Sequence, residues 1–334
     1  MLPIPQYFNE DLTGTVFRVD YANISNEAEK FREEYKIGPA AKDKEKTWLL
    51  LIDLQNTFCI PEFELFVRGR SGNGAVDDSL RLCRFIYKNL DKISEITATL
   101  DTHLASQIFH PIFFIGPEGQ HPAPYIDIHI ADLRNKKWKF NPALASQFGI
   151  TPQYGQQLVL NYVETLSMRG KFELTIWPYH AMQGGIGHAL VSSIEEAIFF
   201  HTQVRVTQPF FEIKGNRPFT ENYSVIGPEI LTGPLGETLG SRTTRFVEHL
   251  EDVDRLIIAG QAKSHCVAST VSDLLEDIQK SDSGLAKKVY LLEDCTSPVV
   301  VENVIDHHDS ANKTFERFQS AGMHIIKSTD DIFN

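Results

Sequence analysis

The chain has 334 residues, of which 42% are hydrophobic, 23% charged and 10% aromatic, the balance of a soluble globular protein with enough apolar material for a full core. Its 44 acidic and 32 basic residues leave a formal net charge of −12. That charge repels phosphate backbones and argues against a nucleic-acid partner, since KDKEK (Lys42 to Lys46) and RNKKWK (Arg134 to Lys139) are too short to form a basic patch.

The N-terminus, MLPIPQYFNEDLTG, has neither the basic start nor the apolar run of a secretory signal. No apolar stretch approaches the ~20 residues of a membrane span, so a cytoplasmic location without a membrane partner is expected. Residues 1–45 are polar and mixed, with a helical stretch NEAEKFREEYK; they read as an N-terminal extension packed on, or wrapped around, one domain spanning 46–334. TWLLLID (Thr47 to Asp53) is a short apolar run of the kind buried parallel strands have. Asp78 to Leu90 has helical periodicity, and EITATLD (Glu95 to Asp101) is a second strand. The segment from about 111 to 170 breaks the rhythm with Pro, Gly and aromatics, and reads as an insertion over one end of the sheet. Helices are expected at Gly187 to Phe200, Cys266 to Lys280 and Val301 to Ala321. Strands are expected at Val206 to Lys214, Arg255 to Gly260, Lys288 to Asp294 and Met323 to Ser328. This alternation implies a three-layer α/β/α, Rossmann-like domain with a central, mostly parallel sheet.

In such sheets ligands bind at the carboxyl ends of the strands. Asp53, Asp101 and Lys214 each close an apolar run, and Cys266 follows the strand ending at Gly260. The four cysteines, Cys59, Cys83, Cys266 and Cys295, show no paired spacing, so free thiols are expected rather than a disulfide framework. A helix N-terminus or a nearby cation lowers a thiol pKa from its usual value near ~8.5. Lys214 is the candidate cation, and Asp53 the group that takes the thiol proton and passes it to a leaving amine. Read singly, Cys266 is also a small buried hydrophobe, Asp53 a helix cap and Lys214 a surface lysine. Asp101 and His103 lie two apart after a strand, so both side chains reach one side. With His180 they suit a divalent transition metal such as Zn, Fe or Mn; the alternative is a helix cap and two hydrogen-bonded loop histidines. His110 is a possible further ligand, and the remaining histidines, His201 and His265 among them, read as ordinary surface or loop residues.

Five stretches occur in a fixed order: DLQNTF (Asp53 to Phe58), LDTH (Leu100 to His103), WPYHAMQGG (Trp177 to Gly185), KG with ENYS (Lys214, Gly215, Glu221 to Ser224), and AGQAKSHCV (Ala259 to Val267). On these the chain resembles the isochorismatase-like cysteine hydrolase superfamily, and within it most the nicotinamidases and pyrazinamidases. The resemblance implies an Asp53–Lys214–Cys266 triad. It also implies a cis peptide at Ala262–Lys263 that turns the Ala262 and Cys266 N–H groups into an oxyanion hole. A divalent metal on Asp101, His103 and His180 would receive a pyridine nitrogen, with Phe58 and Trp177 flanking the ring. The implied reaction takes nicotinamide to nicotinate and ammonia through a cysteine thioester, in a homo-oligomer acting on a small amide. Ala181 stands where the family often has cysteine, Lys263 where smaller or neutral residues are common, and the extension and insertion lie outside the compact pattern. A hydrolase of ureido or carbamoyl compounds and a catalytically idle scaffold that binds a protein partner remain as alternatives.

Overall fold

The structure, a computed structural model, describes residues 1–169 and 173–333; the end expected for the insertion, near 170, and the last residue of the 46–334 domain lie outside them. In chain order the main elements are α1 (Tyr21–Glu34), β1 (Thr47–Ile52), α2 (Gly74–Lys88), β2 (Glu95–Asp101), α3 (Pro152–Arg169), α4 (Ser192–Arg205), β3 (Phe210–Lys214), α5 (Arg245–Asp252), β4 (Arg255–Gly260), α6 (Ala268–Lys280), β5 (Val289–Leu292), α7 (His308–Ser320) and β6 (His324–Ile326). Among the described residues the strands form a six-stranded sheet in the order β6-β5-β4-β1-β2-β3. Every neighbouring pair is parallel. This is the three-layer α/β/α architecture expected from the sequence.

β1 is buried along its whole length because both faces of the sheet are covered, which is why it reads as an unbroken apolar run. Successive side chains still alternate. Leu49 and Leu51 enter the core beneath α1, α2 and α4, while Trp48, Leu50 and Ile52 enter the opposite core beneath α5, α6 and α7. Burying each such side chain stabilises the fold by roughly 1.5–3 kcal/mol. From β1 the chain winds outward to β2 and β3, then returns to β4 on the other flank of β1. The reversal places the carboxyl ends of β1 and β4 side by side at the switch point, where an open α/β sheet presents its ligand crevice.

Several elements start elsewhere than their sequence pattern suggests. β3 begins at Phe210 rather than Val206, because Val206 caps α4 in the left-handed region (φ 50°) and Pro209 has no N–H for a ladder bond. α4 accordingly extends to Arg205. Val300–Val301 and Ile305–Asp306 pair as an antiparallel hairpin, so α7 starts at His308 and not at Val301. β3 forms the outer edge, where Phe210, Phe211 and Ile213 are 56%, 49% and 57% exposed.

The first forty residues build part of the core. Phe8, Val19, Ile24, Ala28, Phe31 and Ile37 are buried with α2 and α4, and α1 lies along α4. The fully buried Arg205 fastens this arm: its guanidinium donates to Gly38 O (2.5 Å), to Ile93 O (3.3 Å) and to the Asp43 carboxylate. The insertion has a core of its own. Phe113, Phe114, Ile128, Phe140 and Tyr162 pack there with Phe109, Ile176 and Trp177 from its margins. Among the described residues no helix is long and apolar enough to cross a membrane.

Candidate active site

Asp53 is the first residue beyond β1 and sits in the left-handed region (φ 49°), which a short polar side chain tolerates better than a bulky one. It is fully buried. Thr99 in β2 fixes it twice, accepting from the Asp53 N–H (3.0 Å) and donating to Oδ1 (2.5 Å). Lys214 closes β3, in register with Asp101 at the end of β2. Its Nζ lies 2.9 Å from Asp53 Oδ2 and 3.2 Å from Asp101 Oδ1. It also donates to Asn222 O (2.9 Å) and lies 3.5 Å from Cys266 Sγ. Cys266 belongs to the π-helical turn Lys263–Val267 that leads into α6. That turn is held close to β1 by Gly260, whose φ is +124° and where a Cβ would come within 2.0 Å of Ile52 O. No other residue permits that approach. Three strand ends and one helix start thus bring Asp53, Asp101, Lys214 and Cys266 together.

Burial alone would push the Lys214 ammonium down, but Asp101 and Asp53 outweigh it and hold Lys214 well above its ordinary value. Burial likewise raises the Asp53 carboxyl against the opposing pull of Lys214, which makes it a stronger base. The expectation for Cys266 is corrected. Burial pushes its thiol well up, Lys214 only partly offsets this, and Asp53 and Asp101 add to the rise. The resting group is therefore a thiol hydrogen-bonded to Asp53, and its proton has to be withdrawn in step with attack on a substrate.

The cis peptide lies at Gln261–Ala262, one bond before the position expected. Lys263 N–H is tied to Ser297 O (2.8 Å), so the peptide after Ala262 belongs to a neighbouring loop. Gln261 anchors the other side: its N–H donates to Ile52 O (2.8 Å) and its side-chain amide donates to the buried Asp78 Oδ2 (2.9 Å). Ala262 lines the cavity next to Cys266, and its N–H has no acceptor among the described residues. Lys263 is buried, its ammonium on Asn312 (2.8 Å) and over the Phe315 ring (4.4 Å).

His103, His110 and His180 are all buried, and one ring nitrogen of each lies within 4.8 Å of the others. Each ring turns its Nδ1 to a backbone carbonyl: His103 to His180 O (3.1 Å), His110 to Ala105 O (3.2 Å) and His180 to Pro178 O (2.7 Å). A carbonyl can only accept, so Nδ1 carries the proton and the Nε2 lone pair is left free, the orientation of metal-ligating histidines. Burial pushes His180 well down and His110 to about 4, so both rings rest neutral. His110 Nε2 is buried with no hydrogen-bond partner among the described residues. Asp101 Oδ1 faces His103 Nε2 at 3.1 Å, and Oδ2 faces His180 Nε2 at 3.9 Å. A proton or a shared metal ion resolves this meeting of acceptors. The donor set fits a divalent metal, with His110 added to the Asp101, His103 and His180 expected from the sequence.

A cavity lined by Phe58, Phe109, Trp177, Ala262 and Val299 among others joins Cys266 to Asp101, His103 and His180. Phe58 lies edge-on to His180 with centroids 5.6 Å apart. Sequence reasoning missed the roles of several buried residues. His265, read as an ordinary loop histidine, is buried and faces Trp177 at 5.6 Å and Tyr223 at 5.5 Å. His201, read likewise, is buried with Nε2 on Ile93 O (2.9 Å). Gln55 grips the backbone of Asp101 from both sides (2.8 and 2.7 Å); its place two residues after Asp53, in DLQNTF, was the only signal.

No family model and no curated protein matches the chain. Among solved structures, it is similar to a nicotinamidase of Acinetobacter baumanii, at 16% identity over 86% of this chain and 99% of that chain, with a TM-score of 0.49. It is similar to the yeast nicotinamidase at 17% identity over 84% and 99% of the two chains (TM-score 0.49). It is also similar to the pyrazinamidase of Pyrococcus horikoshii in complex with zinc, at 17% identity over 84% and 98% (TM-score 0.42).

Proposed function

We propose that the protein is a cysteine-dependent amidohydrolase that converts nicotinamide, or a closely similar planar aromatic amide, to the acid and ammonia. The observation that carries this reading is the meeting of Asp53, Lys214 and Cys266, with Lys214 Nζ 2.9 Å from Asp53 Oδ2 and 3.5 Å from Cys266 Sγ. As Cys266 Sγ bonds to the amide carbonyl carbon, its proton passes to Asp53. The carbonyl oxygen takes up negative charge, which the Ala262 and Cys266 N–H groups stabilise. Lys214 keeps two buried carboxylates within one site at a tolerable energy. Asp53 then gives its proton to the nitrogen as the C–N bond breaks, releasing ammonia and leaving a thioester. Water adds to the thioester, Asp53 takes a water proton, and the C–S bond breaks to regenerate the thiol and release the acid. Phe58 and Trp177 hold the ring, each such contact contributing about 0.5–1.5 kcal/mol. A divalent metal, Zn, Fe or Mn, held by His103, His110 and His180 beside Asp101, would supply a Lewis acid for a ring nitrogen.

The deciding experiment is ammonia release from nicotinamide by the purified protein, by Cys266→Ala and by a chelator-treated sample. Release is expected from the untreated protein, none from Cys266→Ala, and less after chelation, with recovery when the metal is restored. Ammonia from a carbamoyl or ureido amide but none from nicotinamide would discard the ring substrate and keep the thiol chemistry. No release from any amide would sink the enzyme reading.

A further inference from the structure

Trp177 is an aromatic wall of the cavity, yet its indole is held from outside the sheet domain. Its Nε1–H donates to Tyr223 OH (2.9 Å). Tyr223 OH donates to Glu221 Oε1 (2.8 Å). The other carboxyl oxygen, Glu221 Oε2, lies 3.3 Å from Tyr162 OH, which also accepts from the Glu221 N–H at 2.9 Å. Tyr162 lies in α3, the long helix of the insertion, and is completely buried. Tyr125, also from the insertion, meets the indole edge-on with centroids 6.1 Å apart. The Trp177 N–H is bonded to Phe109 O (2.8 Å), and Phe109 and Trp177 belong both to the insertion's core and to the cavity lining.

We propose that the insertion is the substrate-selecting element of this protein, and that Tyr162, acting through Glu221 and Tyr223, is the positioning residue that sets the Trp177 indole against the substrate ring. This rests on the ring-binding role given to Trp177 above. Among the described residues the side chains of the relay make no hydrogen bond to Asp53, Lys214 or Cys266; the segment meets them only through the Asn222 carbonyl, which Lys214 holds at 2.9 Å, so the hydroxyl of Tyr162 acts on how the ring is held. A flat ring needs one fixed aromatic plane, and an indole anchored at its N–H has lost the freedom to turn about its own axis. An aliphatic amide offers no plane to match and gains little from that anchoring.

The test compares Tyr162→Phe, which keeps the ring and its packing, with Glu221→Gln, which keeps the size of the hub but turns one of its two acceptor oxygens into a donor. Tyr154→Phe is the control, because Tyr154 lies in the same helix and bonds Glu237, away from the cavity. Steady-state kinetics are measured with nicotinamide and with isobutyramide. Tyr162→Phe, which removes both hydrogen bonds of the Tyr162 hydroxyl, is expected to raise KM for nicotinamide about tenfold, with kcat little changed and isobutyramide unaffected. Glu221→Gln should lie between Tyr162→Phe and the parent, and Tyr154→Phe should match the parent. An unchanged KM in Tyr162→Phe, an equal rise for both amides, or the same rise in Tyr154→Phe overturns the proposal.

The indole N–H resonance of Trp177, assigned with Trp177→Phe, gives a reading that needs no turnover. Tyr162→Phe is expected to shift it and Tyr154→Phe to leave it in place. If the parent hydrolyses neither amide, the proposed reaction fails, and this resonance alone decides the relay: an unmoved signal in Tyr162→Phe overturns it.

Discussion

One oxygen atom on β2 holds the buried Asp53 in place. Thr99 Oγ1 donates to Asp53 Oδ1 at 2.5 Å and accepts the Asp53 N–H at 3.0 Å, so one hydroxyl fixes both the carboxylate and the left-handed backbone that aims it. Thr99→Val preserves the shape of the side chain and deletes both bonds. Hydrogen bonds to charged groups contribute about 1.5–3 kcal/mol, so kcat for amide hydrolysis is expected to fall by about ten- to a hundredfold. KM should hold within a factor of about two, because Thr99 is not part of the cavity wall. Parallel measurement of kcat, KM and thermal midpoint checks this. A full kcat in a variant that is merely less stable would show that Asp53 needs no such support.

At the scale of elements, the loop that carries Ala262 depends on a helix across the sheet. Asp78 in α2 accepts from Gln261 Nε2 at 2.9 Å and from Arg81 at 2.8 Å. Burial pushes its carboxyl up from 3.8 to about 6, against the lowering effect of its donors Gln261, Ser297 and Arg81. The folded state therefore binds this proton more tightly than the unfolded chain does. The resulting stability is fully present below pH 3.8 and is lost as the pH rises through about 6. Asp78→Asn cannot ionise, so its stability relative to the parent should move upward between pH 4 and pH 7 by on the order of 2 kcal/mol. Urea unfolding of both proteins across that range tests the sign. Parallel curves would place the pH dependence elsewhere.

The same scale shows how much the sequence disclosed. Thr47 to Asp53 and Arg255 to Gly260 are legible because a strand buried on both faces is a continuous apolar run. Asp53, Asp101 and Lys214 could be suspected together because parallel strands end on one rim. What was hidden depends on the chain folding back on itself. His110, open in the sequence only as a possible further ligand, reaches the histidine group through a loop that its own Nδ1 closes onto Ala105 O at 3.2 Å, and no periodicity reports such a turn. The bond between Tyr162 and Glu221 joins residues 59 apart, across an insertion with no pattern to align. The core role of residues 1–45 was masked by sparse anchors, Phe8, Val19, Ile24 and Phe31, scattered among charges. The pKa direction of Cys266 was also out of reach, since it turns on how completely water is excluded.

Across the whole molecule, the sheet is closed at neither margin, and β3 ends it with Phe210, Phe211 and Ile213 about half exposed on a strand bonded only to β2. Proteins usually blunt such a margin with lysine, proline, a bulge or a covering helix. Here Lys214 is turned inward to the carboxylates, and Glu212 is engaged by Arg245 at 2.5 Å, so neither charge stands guard. The sheet is thus a template whose further growth is opposed by mutual repulsion between molecules of net charge −12 and not by the shape of its rim. Salt weakens that repulsion, since the screening distance shrinks from roughly 30 Å at 0.01 M to roughly 3 Å at 1 M. Light scattering should therefore report association that increases with salt, and Phe211→Lys should suppress it; an increase of equal size in the variant would assign the association to another surface. The lysine that pairs with the buried carboxylates is the one that a solubility-minded edge would have kept outside, so colloidal behaviour and the proposed chemistry draw on the same strand.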